Sequence, residues 1–398
     1  MKIGVIREGK NPPDKRVPLT PAQCKQFVEK FDAELVVQPS PIRAFADSEY
    51  SDLGITLQDD LSDCDVIIGV KEVPIDMLMN NKQFFFFSHT IKKQPYNAKL
   101  MKTFLDMGIT MTDYETLTNP TGARILGFGR YAGLVGAYNG LLAWGKRTGD
   151  FEIKAAHSTE GLAEMHVELK KVKFGARKIA ITGSGRVAKG AMEILDAINI
   201  KKISPEDYLN KTFDEVVYTQ LKSADLYANK EGNEWSTKDF YANPTDYKST
   251  FLKYTKCTDL FISCHYWDHN ADVLWTEEDM KSSEFKIKVV ADITCDIKGS
   301  IPSTIQPSTI DDPIYGYNPI SGNLGDAFAE ENITVMAVDN LPCEVPKDAS
   351  EGFGKDMIEK VLPCLIDSDP DKVIERASIT VKGSLGDGYQ YLSDYAGL

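Results

Sequence analysis

Short apolar runs alternate with amphipathic segments along roughly the first 120 residues, a pattern typical of a parallel β-sheet with helices between its strands. The first helix is expected to begin at Pro21 with Thr20 as its N-cap, because proline is favoured at the first helical position. A second helix is predicted around residues 95–107. The strands predicted in this part of the chain are residues 2–6, 34–38, 65–70, 84–87 and 108–112.

Charged or titratable residues directly follow four of these predicted strands. In chain order they are Arg7-Glu8, Lys71-Glu72, Ser88-His89 and Asp113-Tyr114-Glu115. Because the carboxyl ends of parallel strands lie along one edge of a sheet, where ligands bind, this pattern predicts a functional site at that edge. The four phenylalanines at 84–87 suit a strand buried on both faces, and His89 follows where that strand leaves the core.

The middle of the chain contains a second strand, glycine turn and helix, at residues 177–198. Gly183, Gly185 and Ala188 form a G-x-G-x-x-A pattern. The first glycine permits a tight turn, the second lets the backbone approach a pyrophosphate, and the small third residue lets the helix pack on the strand. Between an apolar strand and an amphipathic helix, this pattern indicates a dinucleotide site.

The next predicted strand, IKKIS, ends at Ser204. An acidic residue there would hold the ribose hydroxyls of NAD, and serine leaves NAD and NADP both open. Residues 205–257 are polar, aromatic and rich in lysine, and they are predicted to be a helical insertion. The strands predicted to follow it are residues 259–267, 288–294 and 333–342.

These elements predict an α/β protein with two Rossmann-like domains, mainly parallel sheets, and a cofactor and substrate cleft between the domains. The C-terminal segment is expected to return to the first domain. The predicted substrate domain is therefore discontinuous, comprising residues 1–135 and 343–398, and the dinucleotide-binding domain spans residues 136–342.

Composition narrows the class of protein. A chain of 398 residues with 42% hydrophobic and 26% charged residues can form two sizeable cores. The net charge of −14 argues against a nucleic-acid partner, because phosphate binding requires clustered Lys and Arg. Seven scattered cysteines without a CxxC pair are typical of reduced thiols and provide no metal-ligand spacing, so no metal is expected.

The nearest approach to a membrane span is residues 125–144, but Arg130 and Asn139 interrupt it, so we predict a buried helix. The N-terminal residues lack a cleavage signal and are expected to form a strand. The expected protein is cytoplasmic, with small-molecule substrates and no membrane partner, as a monomer or small homo-oligomer.

A dinucleotide domain together with a rim carrying Lys71, His89 and Glu115 suggests hydride transfer coupled to proton transfer. Histidine suits acid/base work near neutral pH, and a lysine that follows a buried strand can have its pKa lowered by desolvation. Lys71 and His89 are therefore the candidate catalytic residues, while a surface lysine at a strand end remains the simpler reading of Lys71.

Several motifs resemble one known family. They are GVIREGKNPPDKRVPLTP, VIIGVKEVP, FFSHTIKKQ, GFGRYAGLVG, ITGSGRVAKGA, VVADITCDIKGSI and VDNLPCEVPKDASEGFG. Together they resemble the lysine–2-oxoglutarate reductase domain of aminoadipic semialdehyde synthase and, more loosely, the lysine-forming saccharopine dehydrogenases. Both lie within the superfamily of alanine dehydrogenase and the transhydrogenase nucleotide domains, although alanine dehydrogenases lack FFSHTIKKQ.

The resemblance implies an NAD(P)-dependent oxidoreductase that interconverts saccharopine with L-lysine and 2-oxoglutarate, with Lys71 and His89 as the acid/base pair. It implies a substrate-binding set of Arg16, Gln94, Glu115, Arg124 and Phe128. It implies a cofactor-binding set of Gly183, Gly185, Arg186, Ser204, Tyr266, Ile293, Val338, Asp339, Asn340 and Leu341. Bidentate pairing with carboxylates gives the physical reason for the arginines.

Several alternatives remain open from the sequence. Tyr266 and Ile293 also suit plain core positions, and Glu115 with Arg124 also suits a structural ion pair. Arg130 replaces a residue that is neutral in the families resembled. An alanine dehydrogenase or another opine-type amino-acid dehydrogenase is the alternative function, and a nucleotide-binding sensor is the non-enzymatic one.

Overall fold

The structure, a computed structural model, describes all residues from Met1 to Leu398. The chain forms two compact units, the first comprising Met1–Phe128 with Pro346–Leu398 and the second Gly129–Val345. The domain boundaries expected from the sequence, 135/136 and 342/343, fall inside a continuous helix (Gly129–Thr148) and a 3-10 turn (Leu341–Glu344). Both of these elements lie in the second unit, which begins at Gly129, the first residue of the helix, and ends at Val345, the residue after the turn.

Eighteen strands are present. In chain order they are β1 (Lys2–Val5), β2 (Glu34–Val37), β3 (Thr56–Leu57), β4 (Val66–Ile68), β5 (Gln83–Phe86), β6 (Thr110–Asp113), β7 (Lys178–Thr182), β8 (Lys201–Ile203), β9 (Val217–Leu221), β10 (Tyr227–Asn229), β11 (Tyr247–Ser249), β12 (Leu260–Ser263), β13 (Val289–Asp292), β14 (Ile314–Asn318), β15 (Asn323–Gly325), β16 (Ile333–Met336), β17 (Ser378–Val381) and β18 (Ser384–Leu385).

Fourteen α-helices accompany them. They are α1 (Pro21–Lys30), α2 (Asp47–Ser51), α3 (Ala98–Asp106), α4 (Gly129–Thr148), α5 (Leu162–Leu169), α6 (Arg186–Ala197), α7 (Pro205–Asn210), α8 (Ser223–Leu226), α9 (Thr237–Ala242), α10 (Leu252–Thr255), α11 (Pro346–Asp356), α12 (Leu362–Ile366), α13 (Val373–Ala377) and α14 (Ser393–Ala396).

The sheet of the first unit has the order β18-β17-β6-β5-β4-β1-β2-β3. The six strands from β6 to β3 pair in parallel, and β17 and β18 extend the sheet antiparallel. Helix α1 begins at Pro21 with Thr20 as its cap, as predicted, and Gln23 completes a capping box. The expected strand at the phenylalanine run is β5, in which Phe84, Phe85 and Phe86 are fully buried.

The two faces of β5 explain its composition. Phe84 and Phe86 lie 6.1 Å apart between ring centroids, and Phe86 packs on Phe104 of α3. Phe85 packs against Tyr114 instead, so consecutive phenylalanines fill the core on both sides of the sheet. The strand is thereby fixed, and with it the residues that follow it.

The sheet of the second unit has the order β15-β14-β16-β13-β12-β7-β9-β8. The six strands from β16 to β8 are parallel, whereas β14 and β15 form an antiparallel edge. In β7, Ile179 and Ile181 belong to one hydrophobic cluster and Ala180 to another, so both faces of the sheet are covered. The predicted α/β class with two mainly parallel sheets is confirmed.

The helical insertion expected at 205–257 is only partly right. Residues 217–221 form β9, which lies between β7 and β8 in the sheet, and β10 and β11 form a separate antiparallel pair. The polar residues Thr219 and Gln220 conceal this strand in the sequence. Thr219 is nevertheless fully buried, because its hydroxyl donates to the carbonyl of Ile203 at 3.1 Å.

Helix α4 is buried from Gly133 to Gly145, as the sequence predicts. A Cβ at Gly133 would lie 1.9 Å from the carbonyl oxygen of Val187, so α4 and α6 make backbone contact there. Arg130 forms a two-pronged ion pair with Glu193 of α6, Nε to Oε1 at 2.9 Å and Nη2 to Oε2 at 2.6 Å. No helix combines the length and the apolar character needed to cross a bilayer.

Candidate active site

The carboxyl ends of β1, β4, β5 and β6, which are neighbours in the first sheet, carry most of the candidate catalytic residues. Strands β4 and β5 are directly paired in parallel. Lys71 and Glu72 follow β4, and His89 follows β5. The parallel register explains why residues distant in sequence are found together at this edge.

Lys71 has a partly desolvated ammonium group. Burial, followed by the charges of Arg16 and Lys10, lowers the pKa of Lys71. Its Nζ forms no ion pair, whereas the nearby Lys10 is paired with Glu72 at 2.7 Å. A lysine with these neighbours has a larger neutral fraction near pH 7 than an exposed lysine, as a proton acceptor requires.

Glu8 fixes the backbone of the turn that carries Lys71. Its two carboxyl oxygens accept the backbone N–H groups of Val70 at 2.7 Å and Lys71 at 2.9 Å. Burial, assisted by the charge of Asp14, raises the pKa of Glu8 to about 8, against the effect of these hydrogen bonds. From the sequence, Glu8 is recognisable only as a residue at the end of a strand. Its partners Val70 and Lys71 lie 62 and 63 positions further along the chain, and only folding brings them to it.

His89 is held by Glu72. The distance from Nδ1 of His89 to Oε1 of Glu72 is 2.6 Å, and His89 has a left-handed backbone conformation with φ of 54°. Burial would raise the pKa of Glu72, but hydrogen bonds and charges from His89 and Lys10 outweigh it and lower this pKa to about 2. An ionised carboxylate has no proton to donate, so Nδ1 of His89 is the donor and Nε2 is the nitrogen left for proton transfer.

The loop between β5 and α3 is anchored at both ends. The buried carboxylate of Asp113 accepts the backbone N–H of Ser88 at 2.9 Å and also its hydroxyl. Further along, the carbonyl of Gln94 accepts the hydroxyl of Tyr395 at 2.7 Å, and Oε1 of Gln94 accepts the hydroxyl of Tyr96. The Gln94 oxygen is thus occupied, and its amide N–H groups are the part that can donate to a ligand.

The predicted carboxylate-binding arginines have partners within the protein. Arg16 is buried and forms a bidentate pair with Asp14, Nε to Oδ1 at 3.0 Å and Nη2 to Oδ2 at 2.6 Å. Its guanidinium lies 4.2 Å from the ring centroid of Phe128, which stacks on Phe353 at 4.7 Å. Asp14 and Phe128 therefore hold Arg16 as a rigid fork.

Glu115 lies between two cations. Oε1 of Glu115 is 3.0 Å from Nη2 of Arg124 and 3.3 Å from Nζ of Lys92. Burial would raise the pKa of Glu115, but Lys92, Arg124 and His89 lower it. Oε2 of Glu115 is buried and has no hydrogen-bond partner, so the charge of this carboxylate is balanced through Oε1 alone.

The glycine turn of the second unit fits a dinucleotide. Gly183 has φ of 90°, and a Cβ there would lie 2.6 Å from the carbonyl oxygen of Cys264. A Cβ at Gly185 would meet no atom within 4 Å, so the backbone borders open space. Helix α6 begins at the next residue, Arg186, with no side chain capping it, and Ala188 is fully buried. This space before a helix N-terminus suits a pyrophosphate.

The other predicted cofactor residues differ in their exposure to solvent. Val338 and Leu341 are buried at 1% and 2% exposure and pack in the core, whereas Asp339 and Tyr266 are exposed. The carbons of Ile293 would lie 2.4 Å from a Cβ at Gly136, so this side chain fills a gap beside α4. Asn340 precedes the 3-10 turn at Leu341–Glu344.

Ser204 does not follow the strand next to β7, which is the position that the sequence suggested. It follows the edge strand β8 and caps α7, its Oγ accepting the N–H of Asp207 at 3.1 Å. The strand next to β7 is β9, and the residues that follow β9 are Lys222 and Ser223. The sequence does not indicate these two residues as candidates, because β9 lies within the stretch predicted to be a helical insertion.

Comparison with known proteins shows which families this chain resembles. Residues 4–135 match the family model described as alanine dehydrogenase/PNT, N-terminal domain. The alpha-aminoadipic semialdehyde synthase of Arabidopsis thaliana is 29% identical over 98% of this chain, which spans only 41% of that protein. The saccharopine dehydrogenase (NAD(+), L-lysine-forming) of Emericella nidulans is 23% identical, over 90% of each chain.

A solved structure of an L-alanine dehydrogenase has the same fold, with a TM-score of 0.67 at 17% identity over 100% of both chains. The sequence matches confirm the resemblance seen in the motifs, and the structural match confirms the fold class.

Proposed function

We propose that this chain is an NAD(P)-dependent oxidoreductase that acts on CH–NH bonds and interconverts saccharopine with L-lysine and 2-oxoglutarate. One observation carries the proposal. A lysine whose pKa is lowered and a histidine paired with a carboxylate follow adjacent parallel strands, Lys71 after β4 and His89 after β5. The names of the relatives from Arabidopsis thaliana and Emericella nidulans support the choice of reaction.

In the saccharopine-forming direction, the amine of lysine adds to the keto carbon of 2-oxoglutarate, and loss of water gives an imine. Lys71 in its neutral form accepts the proton that the substrate ammonium must lose before it can attack. His89 donates a proton from Nε2 to the departing hydroxyl, while Glu72 stabilises the protonated ring. A dinucleotide held at the glycine turn would supply the hydride for reduction of the protonated imine to a secondary amine.

The substrate carries several carboxylates, and the first unit offers matching donors. Arg16, oriented by Asp14 and Phe128, and the amide N–H groups of Gln94 are assigned to these carboxylates. Arg124 is paired with Glu115, and the negative charge of Glu115 is assigned to the substrate ammonium. The ion pair of Glu115 and Arg124 also suits a purely structural role. Measurement of substrate affinity in Glu115→Gln distinguishes that role from substrate binding.

The test is steady-state kinetics with lysine and 2-oxoglutarate, measured with NADH and with NADPH. Turnover that requires both substrates supports the proposal, and turnover with pyruvate and ammonia alone supports an alanine dehydrogenase instead. Lys71→Met and His89→Gln should each lower kcat by ~10²–10⁴, the range expected for loss of a general acid or base. Lys99→Met, an exposed lysine of the same unit, is the matched control. Unchanged kcat in His89→Gln at every pH would show that its assigned role is wrong.

A further inference from the structure

The glycine turn of the second unit is flanked by the ends of two strands, β9 and β12, and by the residues that follow them. On one side the N–H of Gly183 donates to the carbonyl of Leu221 at 2.8 Å, and Nε2 of Gln220 donates to the carbonyl of Gly183 at 2.9 Å. On the other side, Gly183 lies against the backbone of Cys264 and His265. Any molecule bound at this turn is therefore bordered by the residues that follow β9 and β12.

Tyr241, from helix α9, connects these two loops. Its hydroxyl lies 3.4 Å from Oγ of Ser223, which follows β9. Its ring centroid lies 6.3 Å from that of Tyr266, which follows β12, with 49° between the rings. The two tyrosines remain 49% and 72% exposed, so part of each ring is open to solvent, although the ring of Tyr241 also lies 5.3 Å from that of the buried Phe240.

The segment around α9 holds Tyr241 in place. Ser236 caps the helix by accepting the N–H of Asp239 at 3.2 Å. The next residue, Phe240, stacks on Tyr227 with 4.8 Å between ring centroids and packs on Tyr247 at 5.2 Å. A buried aromatic cluster therefore fixes the helix, and with it the position of Tyr241 beside Ser223 and Tyr266.

We infer that residues 223–257 supply the adenosine-binding side of the dinucleotide site, with Tyr241 and Tyr266 contacting the adenine ring. This inference rests on the dinucleotide site of the proposed function. In doubly wound folds the strand next to the glycine-turn strand borders the adenosine ribose, and here that strand is β9. Exposed aromatic faces beside it offer a nucleobase stacking partners.

The neighbouring His265 stabilises the loop that carries Tyr266. It is buried, with Nδ1 2.7 Å from Oγ1 of Thr182 and Nε2 3.0 Å from Oγ of Ser300. Thr182 is the last residue of β7, directly before Gly183. The position of Tyr266 is thus linked to the glycine turn itself.

The experiment measures Kd for NADH, NADPH, ADP-ribose and nicotinamide mononucleotide by titration of the whole protein. Tyr241→Ala should weaken binding of ADP-ribose and of the better-bound dinucleotide by roughly 5-fold to 150-fold, the fold-change that corresponds to the loss of one base-stacking contact. Binding of nicotinamide mononucleotide, which lacks adenosine, should not change. Tyr241→Phe, which keeps the ring, should bind like the unaltered protein, and Phe328→Ala removes an equally exposed aromatic residue as a control.

The outcomes separate the two proposals. If the unaltered protein binds a dinucleotide and Tyr241→Ala binds it and ADP-ribose equally well, this inference is overturned and the proposed function stands. If the unaltered protein binds neither dinucleotide, the proposed function fails and the adenosine site with it. An unchanged far-ultraviolet circular dichroism spectrum of Tyr241→Ala ensures that altered affinity reflects the contact and not the fold.

Discussion

Two buried carboxyl groups, Glu8 and Glu344, have raised pKa values but different neighbours. Glu8 accepts the backbone N–H groups of Val70 and Lys71, in the turn that carries the proposed catalytic lysine. Glu344 lies in the second unit, where Oε1 accepts Nδ2 of Asn139 at 2.8 Å and Oε2 accepts the N–H of His157 at 3.3 Å. Glu344 contacts none of the proposed catalytic groups. We therefore expect its titration to be detected in the free energy of unfolding.

Glu344→Gln tests this effect. Burial raises the pKa of Glu344 to about 7, against hydrogen bonds from Asn139 and His157 that lower it. The folded state therefore binds this proton more tightly than the unfolded chain, and the stability it contributes is complete below the ordinary carboxyl pKa of 4.5. That contribution is lost as the pH rises through about 7.

The unaltered protein should lose about 2–3 kcal/mol of unfolding free energy from this group between pH 5 and pH 8, at about 1.4 kcal/mol per pKa unit. Glu344→Gln should show a correspondingly flatter pH dependence in urea titrations. Glu206→Gln, an exposed glutamate of the same unit, should leave the dependence unchanged. Equal slopes for Glu344→Gln and the unaltered protein would contradict the assignment.

At the scale of elements, the order of three strands decides which residue lies near the adenosine ribose. Since β9 separates β8 from β7, we expect this residue to be Lys222 and not Ser204. Lys222 is exposed, and its ammonium forms no ion pair, while Asp225 accepts its backbone N–H at 2.8 Å. A basic residue at this position favours the 2′-phosphate of NADP, whereas an acidic one favours NAD.

We therefore predict that NADPH binds more tightly than NADH. Lys222→Glu should shift the ratio of the two dissociation constants toward NADH by roughly 10- to 100-fold, through loss of an attractive charge and gain of a repulsive one. Lys201→Glu, which places the same charge change on the edge strand β8, is the matched control. If both variants change the ratio equally, the effect is one of general charge and Lys222 is not the determinant.

The sequence predicts those elements whose hydrophobic pattern is local. Strand β5 and helix α1 are examples, since a phenylalanine run and a Thr-Pro cap need no distant partner. Lys71 and His89 follow from the same logic, because they come directly after apolar strands. Strand β9 is hard to recognise in the sequence because Thr219 is polar. Its buried hydroxyl finds a hydrogen-bond partner only in another strand, at the carbonyl of Ile203 in β8. Likewise Glu8 acquires its role from backbone groups that folding brings to it from distant positions in the chain.

At the scale of the whole molecule, the two units differ in how the chain builds them. The second unit is one continuous segment, Gly129–Val345, with hydrophobic clusters on both faces of its sheet. The core of the first unit combines N-terminal residues with Phe353, Met357 and Ile379 from the C-terminal segment. Residues 1–128 alone therefore lack part of their core, as well as the sheet extension by β17 and β18.

This difference predicts the behaviour of fragments. A protein comprising residues 129–345 should unfold cooperatively on heating and should bind the preferred dinucleotide with a Kd within about tenfold of that of the whole chain, because the glycine turn, Lys222 and Tyr241 all lie within it. Residues 1–128 alone should show no cooperative transition by circular dichroism, because the strand next to β6 and the apolar residues of α11 are missing. Should 129–345 be cooperative yet unable to bind a dinucleotide, the assignment of the cofactor site to this unit would be wrong. Should it fail to fold at all, its two hydrophobic clusters would be insufficient without the first unit.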